Sequence, residues 1–303
     1  MKKYIIPLIL VFIGCSTKPP KWFFNPLNDT NEILYASSSG KTKEDAINNA
    51  LNLAASKISI KINSIFISNK GYYKLNNHIN TYSNVSKQIT AQIKNFEFHN
   101  YKIIKIAKKD KYYVLIAIDR IKNANFLYQK AFYNYLKLKQ YLNIKDKLEI
   151  LKSYPKAIKQ INKNISNLYI AKSLYNFEKI DVLIQKYIKL KNQLTDKLNN
   201  ITFTIKNDYQ NIIKNSLSDL NLNLSNKGII LNSSYSTKKY EINGYKIFII
   251  KMNITMQDVK KINFTISCAG NSINNYDIAK NFAIIKCKEK LKEKIKEIIQ
   301  IPY

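Results

Sequence analysis

Arginine is all but missing from this chain: Arg120 is the only one in 303 residues. The formal net charge of +30 is therefore lysine charge. Bidentate reading of phosphates and guanine relies on the planar guanidinium fork, which lysine lacks, so the excess does not point to nucleic acid. Lysine, asparagine, isoleucine and tyrosine, all with A/T-rich codons, crowd the chain, and codon bias is one account of the charge. The functional account is attraction to an anionic surface such as lipid phosphates, lipopolysaccharide or an acidic partner. Glycine is scarce too, with six residues at 14, 40, 71, 228, 244 and 270. No two are close, which excludes a phosphate-cradling loop and a GxSxG elbow. The two histidines, His78 and His99, lie in separate polar stretches without HExxH or Cys/His spacing, so no metal site is expected. Acidic residues number 20 and are scattered; Glu44-Asp45 reads as helix N-terminal charge. No catalytic residue, cofactor or metal follows, and the chain reads as a non-enzyme.

Long apolar runs are also absent. The one run, Ile5 to Ile13, is too short to span a bilayer as a permanent helix, which takes about 20 residues. Lys2 and Lys3 precede it and Gly14-Cys15 closes it, the pattern of a secretory signal ending in a lipobox. The expectation is a signal peptide over 1–14 and a lipidated Cys15, since two or more acyl chains anchor a protein stably where one does not. A secreted lipoprotein does not normally meet the genome, which again argues against nucleic acid. Of the three cysteines, lipidation of Cys15 leaves Cys268 and Cys287 as an even pair in a compartment that permits disulfides. A disulfide and two buried thiols are both open readings. Neither implies catalysis: no histidine stands near either cysteine in sequence, and the lysines beside Cys287, Lys286 and Lys288, are not by themselves a catalytic signal.

The rest of the chain divides into four stretches of an α+β protein. Residues 15–21 form a short lipidated tether kept extended by Pro19 and Pro20. In 22–122, Glu32 to Ser39 reads as a strand, and Thr42 with Asp45 approximates a capping box. Ala46, Ala50, Leu53, Ala54 and Ile58 then recur at helical spacing. From Ile58 an every-second-residue pattern predicts a strand to about Ser68, followed by a helix over 77–92. Phe96 to Ile106 and Tyr112 to Ile118 flank the turn Lys108 to Lys111 as a hairpin. Residues 123–200 lack glycine, and their apolar spacing predicts an antiparallel helical hairpin or arm. Pro155 is expected to start its second helix, with a break near Asn176. Residues 201–303 return to α+β, with strands at 201–205, 228–231, 245–255 and 262–268 and helices at 209–222 and 278–299.

Two aromatic features carry a functional and a plain reading. Trp22, the single tryptophan, sits just beyond the tether, as a membrane-interface or partner contact or as a core plug. Tyrosines beside lysines, as in Tyr101-Lys102 and Tyr112-Tyr113, suit glycans or single strands, and also suit half-buried strands.

The order Pro20-Lys21-Trp22, Tyr35-Ala36, Gly40, Asp45-Ala46, Ala50-Leu51 and Ala54-Ala55 behind a lipobox resembles the lipoprotein-20 family of Helicobacter and Campylobacter, over about residues 15–120. The length and added regions are similar to a three-domain member of that group. The resemblance implies a lipid-anchored envelope protein, in relatives tied to the outer membrane, flagellar structures or host contact. It carries over no catalytic residues, and Ser16 after the lipidated cysteine implies outer-membrane sorting. The expected function is a non-enzymatic assembly or interaction module held to the membrane through Cys15, with envelope or flagellar proteins as partners. The alternative is a binding module for an anionic ligand: a glycan, a lipid headgroup or lipopolysaccharide.

Overall fold

A computed structural model describes residues 18–69 and 96–299, with side chains omitted for 65–69. The signal peptide, Cys15, Ser16, Gly71, His78 and the helix expected over 77–92 lie outside these residues. By contact the described residues fall into two compact units, one within 1–131 and 166–181, the other within 132–165 and 182–303. The fold class is α+β, with one sheet in each unit.

In the first unit, the short helix α1 (Lys21–Phe24) follows Pro20. Strand β1 (Ile33–Gly40) leads into α2 (Lys43–Asn69). The capping box forms as read: Asp45 Oδ2 accepts from the Thr42 amide, and Thr42 Oγ1 accepts from the Asp45 amide. The strand expected from Ile58 to Ser68 is not there, because α2 continues through it. Burial shows why. Ala46, Ala50, Ala54, Ile58 and Ile62 step by four and are all buried, whereas Ile60 is 71% exposed. The apparent period of two was a period of four with an extra isoleucine on the water side. Strands β2 (Tyr101–Lys108) and β3 (Tyr112–Asp119) form the expected hairpin. The sheet order is β1-β3-β2, all antiparallel, so β3 is central and buried from Tyr113 to Ile118. Ile104 is passed over in the β2–β3 register as a bulge.

Helix α3 (Arg120–Lys139) starts where β3 ends, with Asp119 Oδ1 accepting from the Lys122 amide as a cap. Helices α4 (Lys147–Leu174) and α5 (Glu178–Asn199) follow. The break near Asn176 is present, but Pro155 lies inside α4 rather than at its start. A proline there removes one amide donor. Buried Leu148, Leu151, Ala157 and Ile161 on either side hold the helix together across it. The stretch 123–200 thus contains three helices and contributes to both units. In the second unit, Tyr154 Oη meets Thr195 Oγ1 and Lys191 donates to Asn162 Oδ1, which sets α4 and α5 antiparallel.

The second sheet runs β4 (Phe203–Lys206), β5 (Ile229–Ile242), β6 (Tyr245–Gln257) and β7 (Lys261–Ser272) in that spatial order. β4 and β5 are parallel; the rest are antiparallel. The expected helix over 209–222 is reduced to α6 (Ile212–Asp219) behind a single 3-10 turn. β5 runs far past the expected Leu231, to a hairpin turn at Asn243-Gly244. Both turn residues have positive φ, 52° and 77°, the geometry that Asn-Gly turns supply for tight hairpins. Helix α7 (Tyr276–Ile299) packs on β7 and β6. Its buried residues step by four and grade from small to large: Ala279, Ala283, Cys287, Leu291, Ile295 and Ile299. The small end meets Gly270 of β7, where backbone approaches backbone with no side chain between.

Candidate functional site

Of the residues singled out in the sequence, the structure joins Cys268 and Cys287 as a disulfide, with their Cα atoms 5.4 Å apart. Cys268 lies between Ile266 and Gly270 in the buried alternation of β7, and Cys287 lies mid-way along the buried stripe of α7. Both are at most 2% exposed, so the bond is a sealed staple between helix and sheet. Trp22 is half-buried in α1, a helix with no fully buried residue, so it is not a core plug. Its equally half-buried neighbour Phe23 packs edge-on against buried Tyr113, with ring centroids 5.0 Å apart. Tyr113 also donates to Asp110 Oδ1, and burial raises its pKa.

His99 borders a cleft of about 330 Å³ on the first sheet, lined also by Ile33, Tyr35, Lys102, Asp119 and Lys122. The register explains the grouping. Ile33 pairs with Asp119, Tyr35 with Ala117 and Lys102 with Ala117, so these side chains share one face. Buried Asn123 fixes the cleft's rim: its Oδ1 accepts from the amides of His99 and Asn100, and its Nδ2 donates to the carbonyls of Asn100 and Asp119. Nothing in the sequence marked Asn123, because it looks like an ordinary polar residue of a helix. His99 stacks on Phe126 at 4.4 Å. The Asp119 carboxylate is committed to the α3 cap and to an ion pair with Lys122 at 3.3 Å. The cleft therefore presents ammonium groups, a tyrosine and an imidazole on one face of the first sheet.

Arg120 serves the fold. Its guanidinium donates to the carbonyls of Thr30, Ser173 and Leu174. The last two are orphan carbonyls at the C-terminal end of α4, where a cation also complements the helix dipole. Partial burial lowers its pKa, and its charge helps lower that of Lys61. In the second unit, an apolar cavity of about 250 Å³ is lined by Leu151, Pro155, Ile201, Phe203 and Ile299. Glu44 and Asp45 are the acidic first turn of α2, as expected.

No protein-family model matches the chain, and no curated protein matches it. Among solved structures the chain is similar to the secreted protein HP1454 of Helicobacter pylori, at 17% identity over 87% of this chain and 96% of that one. The TM-score is 0.47, too low for fold or function to pass from one chain to the other.

Proposed function

We propose that this is a lipid-anchored bacterial envelope protein of the lipoprotein-20 type, acting as a non-enzymatic assembly or interaction module at the outer membrane. The observation that carries the reading is the N-terminal series Lys2-Lys3, Ile5 to Ile13, Gly14-Cys15. Two features of the folded chain support it. Residues 16–20 separate Cys15 from α1, a reach of at most about 22 Å from Cys15 to Lys21. A lipid on Cys15 would keep the first unit close to the headgroups. Just past this tether stand half-buried Trp22 and the exposed Phe24 and Leu27, side chains suited to the membrane–water interface. The disulfide fits the oxidising compartment that a signal peptide would lead to.

A clean deletion in the source bacterium tests the function. The expected result is a defect in motility, flagellar architecture or surface adhesion, restored by the intact gene. No change in any of the three would remove the support for an assembly role.

A further inference from the structure

The second sheet has one buried and one bare face. Toward α7 point the buried residues Phe248, Ile250, Met252, Ile254 and Met256 of β6, with Ile266 and Cys268 of β7. Strand alternation puts their neighbours on the other side, where β5 is exposed at 232, 234, 236 and 238, and β7 at every odd position from Lys261 to Asn271. This outward face is composed in an unusual way. Toward the β6–β7 turn it is hydroxyls and amides in cross-strand rows: Ser234, Asn253 and Thr265 form one, and Asn232, Thr255 and Asn263 the next. Lys206, Lys238, Lys251 and Lys261 lie around them by register, and no carboxylate stands on the outward positions of any of the four strands. At the hairpin end the same face is more apolar: it carries Tyr240, Ile242 and Tyr245, 42%, 55% and 47% exposed, with half-buried Ile247 and Ile249 beside them.

The two asparagines are oriented by the sheet itself. Thr265 Oγ1 donates to Asn253 Oδ1 at 2.8 Å, and Thr255 Oγ1 donates to Asn263 Oδ1 at 2.9 Å. Each amide is thus held by its carbonyl end, and neither NH₂ group has a protein partner among the described residues. Rows about 7 Å apart on strands about 4.8 Å apart give a flat, regular grid of donors. Ordered amide donors beside hydroxyls match sugar hydroxyls and carboxylates, exposed tyrosines offer platforms for sugar rings, and the lysines require a negative partner.

We propose that the outward face of β5, β6 and β7 binds an acidic polysaccharide. The proposal deepens the reading of the protein as an interaction module but is independent of the anchor: palmitate labelling reports on Cys15 and sugar binding on this face, so either can fail alone. A lipid surface is the disfavoured occupant, because the rows that carry the ordered asparagines and their flanking lysines are polar and hydrogen-bonding, and the apolar residues of the face are confined to its hairpin end.

The test is calorimetric titration of the full-length chain carrying Cys15→Ala, so that no acyl chain contributes, at about 0.15 M salt. The probes are oligogalacturonate, a linear uronic acid polymer, with neutral dextran and phosphatidylglycerol vesicles for comparison. Saturable binding of oligogalacturonate and none of dextran is expected. Asn253→Ala with Asn263→Ala should weaken it about tenfold or more, and Tyr240→Ala should weaken it as well. Lys186→Ala with Lys189→Ala, at exposed sites on α5, should leave it within about twofold, as exposed lysines away from the face supply only screened attraction. Asn253→Asp, a near-isosteric change at an exposed site, provides a second variant and should weaken binding by putting a like charge on the face. Equal losses in the asparagine and the α5 lysine variants would mean diffuse charge attraction and overturn the proposal. So would binding of vesicles but not oligogalacturonate, or no binding of oligogalacturonate at all.

Discussion

Replacing Gly270 by alanine is expected to destabilise the second unit by about 3 kcal/mol, the upper part of the usual range for overpacking. At this position a Cβ would press into the carbonyl oxygen of Ala279 and lie 2.5 Å from the amide nitrogen of Ala283. Both are backbone atoms of α7 and cannot swing aside as a side chain would. The helix would have to lift from β7, and Ala279 and Ala283, both fully buried, would lose their contact with the sheet. For a unit of this size that cost corresponds to a melting temperature lower by roughly 6–12 °C. Native-state hydrogen exchange should show faster opening of α7 and β7, while the fluorescence of Trp22, which belongs to the first unit, is unchanged. A variant as stable as the parent would show that helix and sheet do not approach as closely as described.

Removing the disulfide by Cys268→Ala with Cys287→Ala is expected to cost a comparable amount by a different route. The bond closes a loop with a sequence separation of 19, and for that length the chain-entropy account gives about 3 kcal/mol. The effect acts mainly by freeing the unfolded chain, so the folded variant should keep the parent's circular dichroism at low temperature and melt at a lower temperature than the parent. Reduction of the parent should need denaturant, because both sulfurs are sealed from solvent. If dithiothreitol reduced the parent under native conditions, or if the double variant melted with the parent, the staple would not have the role given to it. Gly270 lies two residues beyond Cys268 on the same face of β7, so combining the changes should give a non-additive loss.

These two sites also show what the sequence could disclose. The alternation Ile262, Phe264, Ile266, Cys268 against Asn263, Thr265, Ser267 marks a half-buried strand directly, and the structure has it. The helix over 278–299 was legible too, but its buried stripe at steps of four is shown by the structure. In α2 the same kind of ladder misled, because Ile58, Ile60 and Ile62 satisfy both periods, and only burial shows that Ile60 faces water. Pro155 misled through a sound local rule that packing on both sides overrides. The far half of β5 was hidden because it is exposed and polar, so no hydrophobic pattern marked it. Site features followed the same logic. Cys268 and Cys287 could be named in advance but not joined, since pairing depends on how α7 returns to β7. Asn123 and the Asn253–Thr265 and Asn263–Thr255 pairs are tertiary contacts among common polar residues, with no local signature.

The account as a whole turns on Cys15, and labelled palmitate measures it directly. Cells expressing the intact chain should incorporate the label into the protein and hold it in the membrane fraction, and Cys15→Ala should abolish both. If Cys15→Ala still takes up palmitate and stays with the membranes, the anchor is not at Cys15 and the lipoprotein reading is wrong.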